Sequence, residues 1–512
     1  MCLLLLTIHM VITHLESAAF RVVSNAASNG YFELCVNRAL SFPDTAPTVA
    51  RALYDRLWRS NAVPDLQGRE AARAFIDHWR EKSRDAGSDL PSTPAGLEGW
   101  LQANLADTGE RYRGYLTARK DGAPRRYFSN RSHALYFLRS VAPTKLVDGA
   151  WLYGLLNDSG NPRLSDLVFT YVEELGDGDP AQNHVLLYRR LMASLGIGDW
   201  PEQPDGHYVQ GALQLSLAAC TDTMLPEVIG FNLGYEQLPL HLLITAYELD
   251  ELGIDPTYFS LHVTVDNAAG GHAQRALRSV TEAFAVAVDP RTFWHRLEDG
   301  YRLSNAGWGT TDAIGSFDGH AEFVRVLQSR AAEGAAVHSD HCRIEGRTVN
   351  QWLAVPDGAS AFIEALVRKG WLQRGGDPAH SRFWQMLQGD GASMFGVFGD
   401  YELQVIYDWI RADGAADGAR FARGRAAPVP ARAFRHARRL ATPRPITGLA
   451  DLAGAPGSLD PDVAELRRVL SAETDSGQRG ALLRRLLGPA FHWSPAGLEA
   501  ARHVASVMRA VH

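Results

Sequence analysis

Cysteine is scarce and scattered in this chain, with four in 512 residues, at Cys2, Cys35, Cys220 and Cys342. No two form a CxxC pair, so neither a disulfide framework nor a thiolate zinc ribbon is indicated, and a reducing cytoplasm fits best. Excess positive charge is missing as well. Lys and Arg number 51 against 58 Asp and Glu, a net charge of −7 that gives no general pull toward nucleic acid or anionic membrane. Long apolar runs are absent. The opening MCLLLLTIHMVITHLESAAF looks like the apolar part of a signal peptide, but no basic residues precede it. His and Thr interrupt it before it could span a bilayer, and it reads as an extension or a misplaced start codon. Strand-like alternation is confined to short runs such as HCRIEG and VFTYV. No P-loop, GxGxxG fingerprint or GxSxG elbow occurs, so nucleotide-dependent and serine-hydrolase chemistry have no support. The expected partner is a small-molecule substrate, with neither nucleic acid nor membrane, and a homodimer is compatible with this.

What the chain has is helical periodicity. PTVARALYDRLWRS, REAARAFIDHWREKSRD and GLEGWLQANLADTGERYRGYLTAR repeat apolar residues at three- and four-residue spacing. From Tyr127 to Gly307 the spacing predicts seven helices: HALYFLRSV, TKLVDGAWLYGLLN, RLSDLVFTYVEEL, NHVLLYRRLMASL, YVQGALQLSLAAC, LPEVIGFNLGYEQLPLHLLITAYELDEL, and DPTYFSLHVTVDN running on into GHAQRALRSVTEAFAVAV. The expected division is a helical extension over 1–125, a bundle over 126–310, a mainly helical region over 311–412, an Arg/Ala/Pro-rich linker over 413–456 and a helical tail over 457–512. The linker could contact phosphate, but with so few aromatics it reads as a solvated tether.

Two segments carry chemistry. LHVTVDNAAGGHA places His262 and Asp266 four residues apart, about 40° around a helix, so both project from one face. VEELGDGDPAQNH sets Glu174 and His184 on either side of a Gly/Asp/Pro loop that can bring two helix ends together, with Glu173 as the neighbouring alternative. Imidazoles and carboxylates are ligands that iron, manganese and zinc share, and ionised groups in apolar text need a partner or a cation. His272 is a further candidate. A continuous helix would turn it about 80° away from His262, with Ala269 better aligned, and Gly270–Gly271 offers a break that could bring it back. Glu236, in the middle of apolar text, is preferred to Glu227 as another carboxylate, and Asp148 in KLVDGAWLYG is a weaker one. These residues point to an iron site inside a helical bundle. HSDHC, with His338, His341 and Cys342, lacks an obvious fourth ligand and reads as an ordinary loop.

The order Glu…His, Glu, then His-x3-Asp with a following His resembles the iron-containing redox enzymes of haem-oxygenase-like fold, also called haem-oxygenase-like diiron oxidases and oxygenases. EELGDGDPAQNH, GFNLGYEQLP, ELGIDPTYFSLHVTVDN and GHA carry the resemblance, over about Ala134 to Phe284. It implies an all-α, haem-oxygenase-like bundle in which Glu174, His184, Glu236, His262, Asp266 and His272 hold two Fe(II) ions per chain. Many members place the last His three residues after the Asp, where this chain has Ala269. The resemblance further implies an O2-dependent non-haem oxygenase or oxidase with an external electron donor. Such enzymes act on amino acids, fatty acids or related metabolites by N-oxygenation, desaturation or oxidative C–C cleavage, often in natural-product biosynthesis. Two competing expectations are a metal-independent, thiaminase-like or cofactor-maturation enzyme on the same bundle, with Cys220 and Tyr235 as candidates, and a non-catalytic helical binding protein.

Overall fold

A computed structural model describes residues 50–197, 203–266, 271–331, 342–355, 357–388, 392–394, 396–411 and 460–511, with side chains at all but 264–266 and 511. The apolar N-terminus, the Arg-rich linker, Ala269, Gly270, His338 and His341 lie outside these residues, as does the side chain of Asp266. The described chain is all-α apart from one antiparallel ribbon, Arg343–Ile344 against Arg347–Thr348. The first strand of that ribbon falls within HCRIEG and the second follows directly after it, whereas VFTYV is helical.

The N-terminal helices are α1 (Ala50–Arg59), α2 (Leu66–Lys82) and α3 (Leu97–Lys120). The bundle follows, with α4 (Arg131–Lys145), a 3₁₀ run (Ala150–Asp158), α5 (Ser165–Glu174), α6 (His184–Ser194), α7 (Val209–Ala219), α8 (Leu225–Tyr235), α9 (Leu240–Glu251), α10 (Thr257–Asp266), α11 (His272–Ala285) and α12 (Pro290–Leu303). Next come α13 (Thr310–Gly315), α14 (Gly319–Ser329), α15 (Val349–Leu353), α16 (Gly358–Arg368), α17 (Arg382–Gln388) and α18 (Asp400–Arg411), and finally α19 (Pro461–Ala472), α20 (Ser476–Leu486) and α21 (Pro495–Val511).

Two stretches expected to be continuous helices are broken, each for a local reason. TKLVDGAWLYGLLN divides because α4 stops at Lys145 and Gly149, at a left-handed φ of 79°, turns the chain into the 3₁₀ run. The long helix from Leu225 splits at Pro239, which cannot donate a backbone hydrogen bond, so Glu236 caps the end of α8 rather than lying mid-helix. A break before His272, which the sequence allowed, is present: α10 is described as far as Asp266, and Gly271 caps a new helix, α11, that His272 opens. The angle drawn for His272 on a continuous helix therefore does not apply.

Two hydrophobic cores divide the bundle between them. One gathers Leu53 of α1, Phe75 of α2, Tyr171 of α5, Leu213 of α7, Phe231 of α8 and Leu297 of α12 with Leu483 and Ala501 of the tail. The other joins Leu138 of α4, Tyr188 of α6, Leu249 of α9 and Tyr258 of α10 to Phe323 of α14 and Ile406 of α18. Tyr171 and Tyr258 belong to different cores, and each lies within four residues of one of the polar residues described next.

Candidate metal centre

Five of the six acidic and imidazole groups that converge here sit at or beyond helix ends. Glu174 is the last residue of α5, His184 the first of α6 and His272 the first of α11, while Glu236 caps α8 and Asp148 follows α4. His262 alone projects from within a helix. Helix ends suit this purpose because their backbone turns away, leaving the side chains to meet. Gly149 makes room for the meeting: a Cβ at its left-handed position would stand 3.0 Å from Glu174 Cβ.

Asp148, Glu174, His184 and His262 each offer one ligand atom within 4.8 Å of the others, and so do Glu174, Glu236 and His272. Glu174 is common to both groups. Its Oε2 lies 2.5 Å from His184 Nδ1, and its Oε1 lies 3.2 Å from His272 Nδ1. The two oxygens of one carboxylate thus face different groups. All are buried except His262, whose side chain is 14% exposed and forms the open edge.

The proton count around these atoms is informative. His262 Nδ1 lies 2.8 Å from the Tyr258 carbonyl oxygen, which can only accept, so Nδ1 carries the hydrogen. In the neutral ring, Nε2 then presents a lone pair to Asp148 Oδ2 at 3.2 Å. Two acceptors face one another there, an arrangement that asks for a cation between or beside them. His184 Nδ1 approaches Glu174 without hydrogen-bond alignment, and Glu236 Oε1 is buried with no partner among the described residues. Burial alone would push His272 toward its neutral form, but Glu236, Glu173 and Glu174 surround it and push its pKa far up. Its proton serves as the local positive charge. Burial raises Glu236, whereas His184 and His272 outweigh burial at Glu174 and pull it well down. Burial is likewise outweighed at Asp148, which Lys145 and His262 lower.

A supporting shell orients these groups. Tyr258 donates its hydroxyl to Asp148 Oδ2 at 2.5 Å. Glu173 Oε2 takes His272 Nε2 at 3.0 Å and is itself clamped by Arg275 at 2.7 and 3.0 Å. A carboxylate holding one imidazole nitrogen while the other faces a metal is the usual outer-shell arrangement, so the residues present fit a metal. Glu173 is thus no substitute for Glu174 but its complement. Beyond it lies a cavity of about 300 Å3 between α5, α11 and α21, walled in part by Phe169, Glu173, Arg275, Met508 and Arg509.

Two lesser candidates have other surroundings. Glu227 is remote from both groups, on the face of α8 toward α12, where Arg296 holds both its oxygens at 2.8 and 2.6 Å. Its charge is neutralised by a guanidinium, which explains its burial without a metal. Cys220 and Tyr235, the candidates of the metal-independent alternative, are each desolvated by burial and held apart from these groups. Burial raises the Cys220 thiol to about 11, and Tyr235 is engaged with Gln210 at 2.8 Å and packed on Trp151 and Phe231. Sequence reading missed Tyr258 and Arg275, although their spacing gave a signal: Tyr258 precedes His262 by four residues and Arg275 follows His272 by three, so each shares a helix face with an imidazole.

Residues 135–304 match the family model of the iron-containing redox enzymes. The haem-oxygenase-like resemblance read from the motifs holds over this stretch, and with it the coarser reading of an iron-containing oxidoreductase. No curated protein and no solved structure matches the chain.

Proposed function

We propose, taking the kinship of residues 135–304 with iron-containing redox enzymes as the premise, that the chain is an O2-dependent non-haem diiron oxygenase or oxidase acting on a small amino-acid-like or related metabolite. Asp148, Glu174, His184 and His262 would hold one iron, and Glu174, Glu236 and His272 the other, with Asp266 a further ligand. The observation that carries the dinuclear reading is Glu174, whose two oxygens face the two groups separately. Bound ferrous iron supplies the O2 and one-electron chemistry that side chains lack.

The protein's own residues do the rest. Glu173 keeps the proton on His272 Nε2 and so leaves Nδ1 free to coordinate. Tyr258 fixes Asp148 and, through its carbonyl, the tautomer of His262. Burial of Glu174, Glu236, His184 and His272 excludes bulk water, and the edge at His262 admits the substrate. N-oxygenation, desaturation and C–C cleavage all remain within this chemistry. Reduction of O2 to water takes four electrons, so a two-electron substrate oxidation needs two more from an external donor.

Anaerobic titration with Fe(II) tests the reading. Two equivalents are expected, one for each group of ligands, and Mössbauer spectra after O2 should show a coupled diferric pair. A single uncoupled iron would exclude the dinuclear site.

A further inference from the structure

The turn between Glu174 and His184 is held from outside the family-matched stretch. Asn183 is fully buried and caps α6, its Oδ1 accepting from Leu186 N at 2.9 Å. Its amide nitrogen donates back to Leu175 O at 3.1 Å, beside Glu174, and onward to His492 Nδ1 at 3.2 Å and His492 O at 3.4 Å. One side chain therefore ties together the end of α5, the start of α6 and the C-terminal tail. His492 is 1% exposed and accepts at Nδ1, which puts its hydrogen on Nε2. The tail also grips the same loop further along. Arg502 donates to Gly178 O at 2.8 Å, Arg509 pairs with Asp177, and a Cβ on Gly178 would lie 2.3 Å from Leu498 O. At φ +83° and that separation, only glycine allows the two backbones to meet.

We propose that residues 488–511 form a strap that sets the spacing of Glu174 and His184, with His492 as the positioning residue acting through Asn183. The proposal rests on the metal reading given above. It is not a packing claim alone, because the polar chain from His492 ends one residue from each of two candidate ligands. Outer-shell contacts of this kind tune metal affinity by about 10- to 100-fold.

The test compares three full-length variants loaded anaerobically with Fe(II), following iron release into a chelator. His492→Ala should speed release about tenfold or more, and His492→Asn, which retains an acceptor near the Nδ1 position, should restore most of the loss. Leu483→Ala, a core change elsewhere in the tail, should lower the melting temperature without speeding release. Unchanged release in His492→Ala, or equal release in Leu483→Ala, overturns the proposal. If the wild type takes up no iron, the functional reading falls, and amide exchange of metal-free protein decides the strap separately. Faster exchange over residues 175–187 in His492→Ala supports it, and unchanged exchange there overturns it.

Discussion

The Tyr258 hydroxyl donates to Asp148 Oδ2 across 2.5 Å, joining α10 to the turn that follows α4. Both residues are buried, so Tyr258→Phe leaves a carboxylate short of a donor and should cost about 1–3 kcal/mol. The variant should melt earlier and bind Fe(II) more weakly, as read by calorimetry and chelator competition. Unaltered Fe(II) affinity would mean that Asp148 is not a ligand.

His272 gives the metal-free protein a pH dependence of definite sign. Its folded pKa is raised above the ordinary 6.5, so its contribution is complete below that value and is lost as pH rises toward the folded value. Metal-free wild type should lose up to about 1.4 kcal/mol per pH unit from this group above pH 6.5, and His272→Gln should not show that component. Fe(II) affinity should move the other way, rising with pH as the metal displaces the Nδ1 proton. Titration calorimetry in buffers of different ionisation enthalpy would register the released proton.

Gly149→Ala introduces a Cβ at a left-handed position and against Glu174. Backbone strain alone should cost about 1–2 kcal/mol. Since the clash falls on the shared carboxylate, bound iron should drop below the wild-type amount even where the variant is folded by circular dichroism.

Glu236 and Glu227 separate cleanly by substitution. Glu236→Gln should lose iron, because it removes a carboxylate from the second group. Glu227→Gln should keep its iron and lose stability, by about 1–3 kcal/mol, because it weakens the pairing with Arg296. Iron loss in Glu227→Gln at temperatures where the protein is folded would reverse this assignment.

Much of the bundle was legible because helical spacing and polar interruptions in apolar text are local signals. Glu174 and His184 flank a loop that could be read directly, and His262 lies in a helix whose apolar neighbours force it inward. The breaks at Gly149 and Pro239 were harder to read. Each depends on a single residue inside otherwise helical text, and tertiary contacts decide whether such a residue bends a helix or ends it. Asp148 was underrated for the same reason, since its approach to His262 follows only once α4 stops at Lys145. Glu227 was misleading because burial of a carboxylate is equally satisfied by a guanidinium, and Arg296 stands 69 positions away. Nothing near Asn183 in the sequence announces His492, which is 309 positions distant.

The first hydrophobic core contains Ala50 and Leu53 from the start of the described chain and Ala500 and Ala501 from near its end. During synthesis, that core cannot close until α19 to α21 have cleared the ribosome. Until then α1, α2 and α12 present uncovered apolar faces to chaperones and proteases, and pairing over such sequence distances is slow. Loss of α19 to α21 would therefore act first on yield and lifetime in the cell, ahead of any effect on turnover.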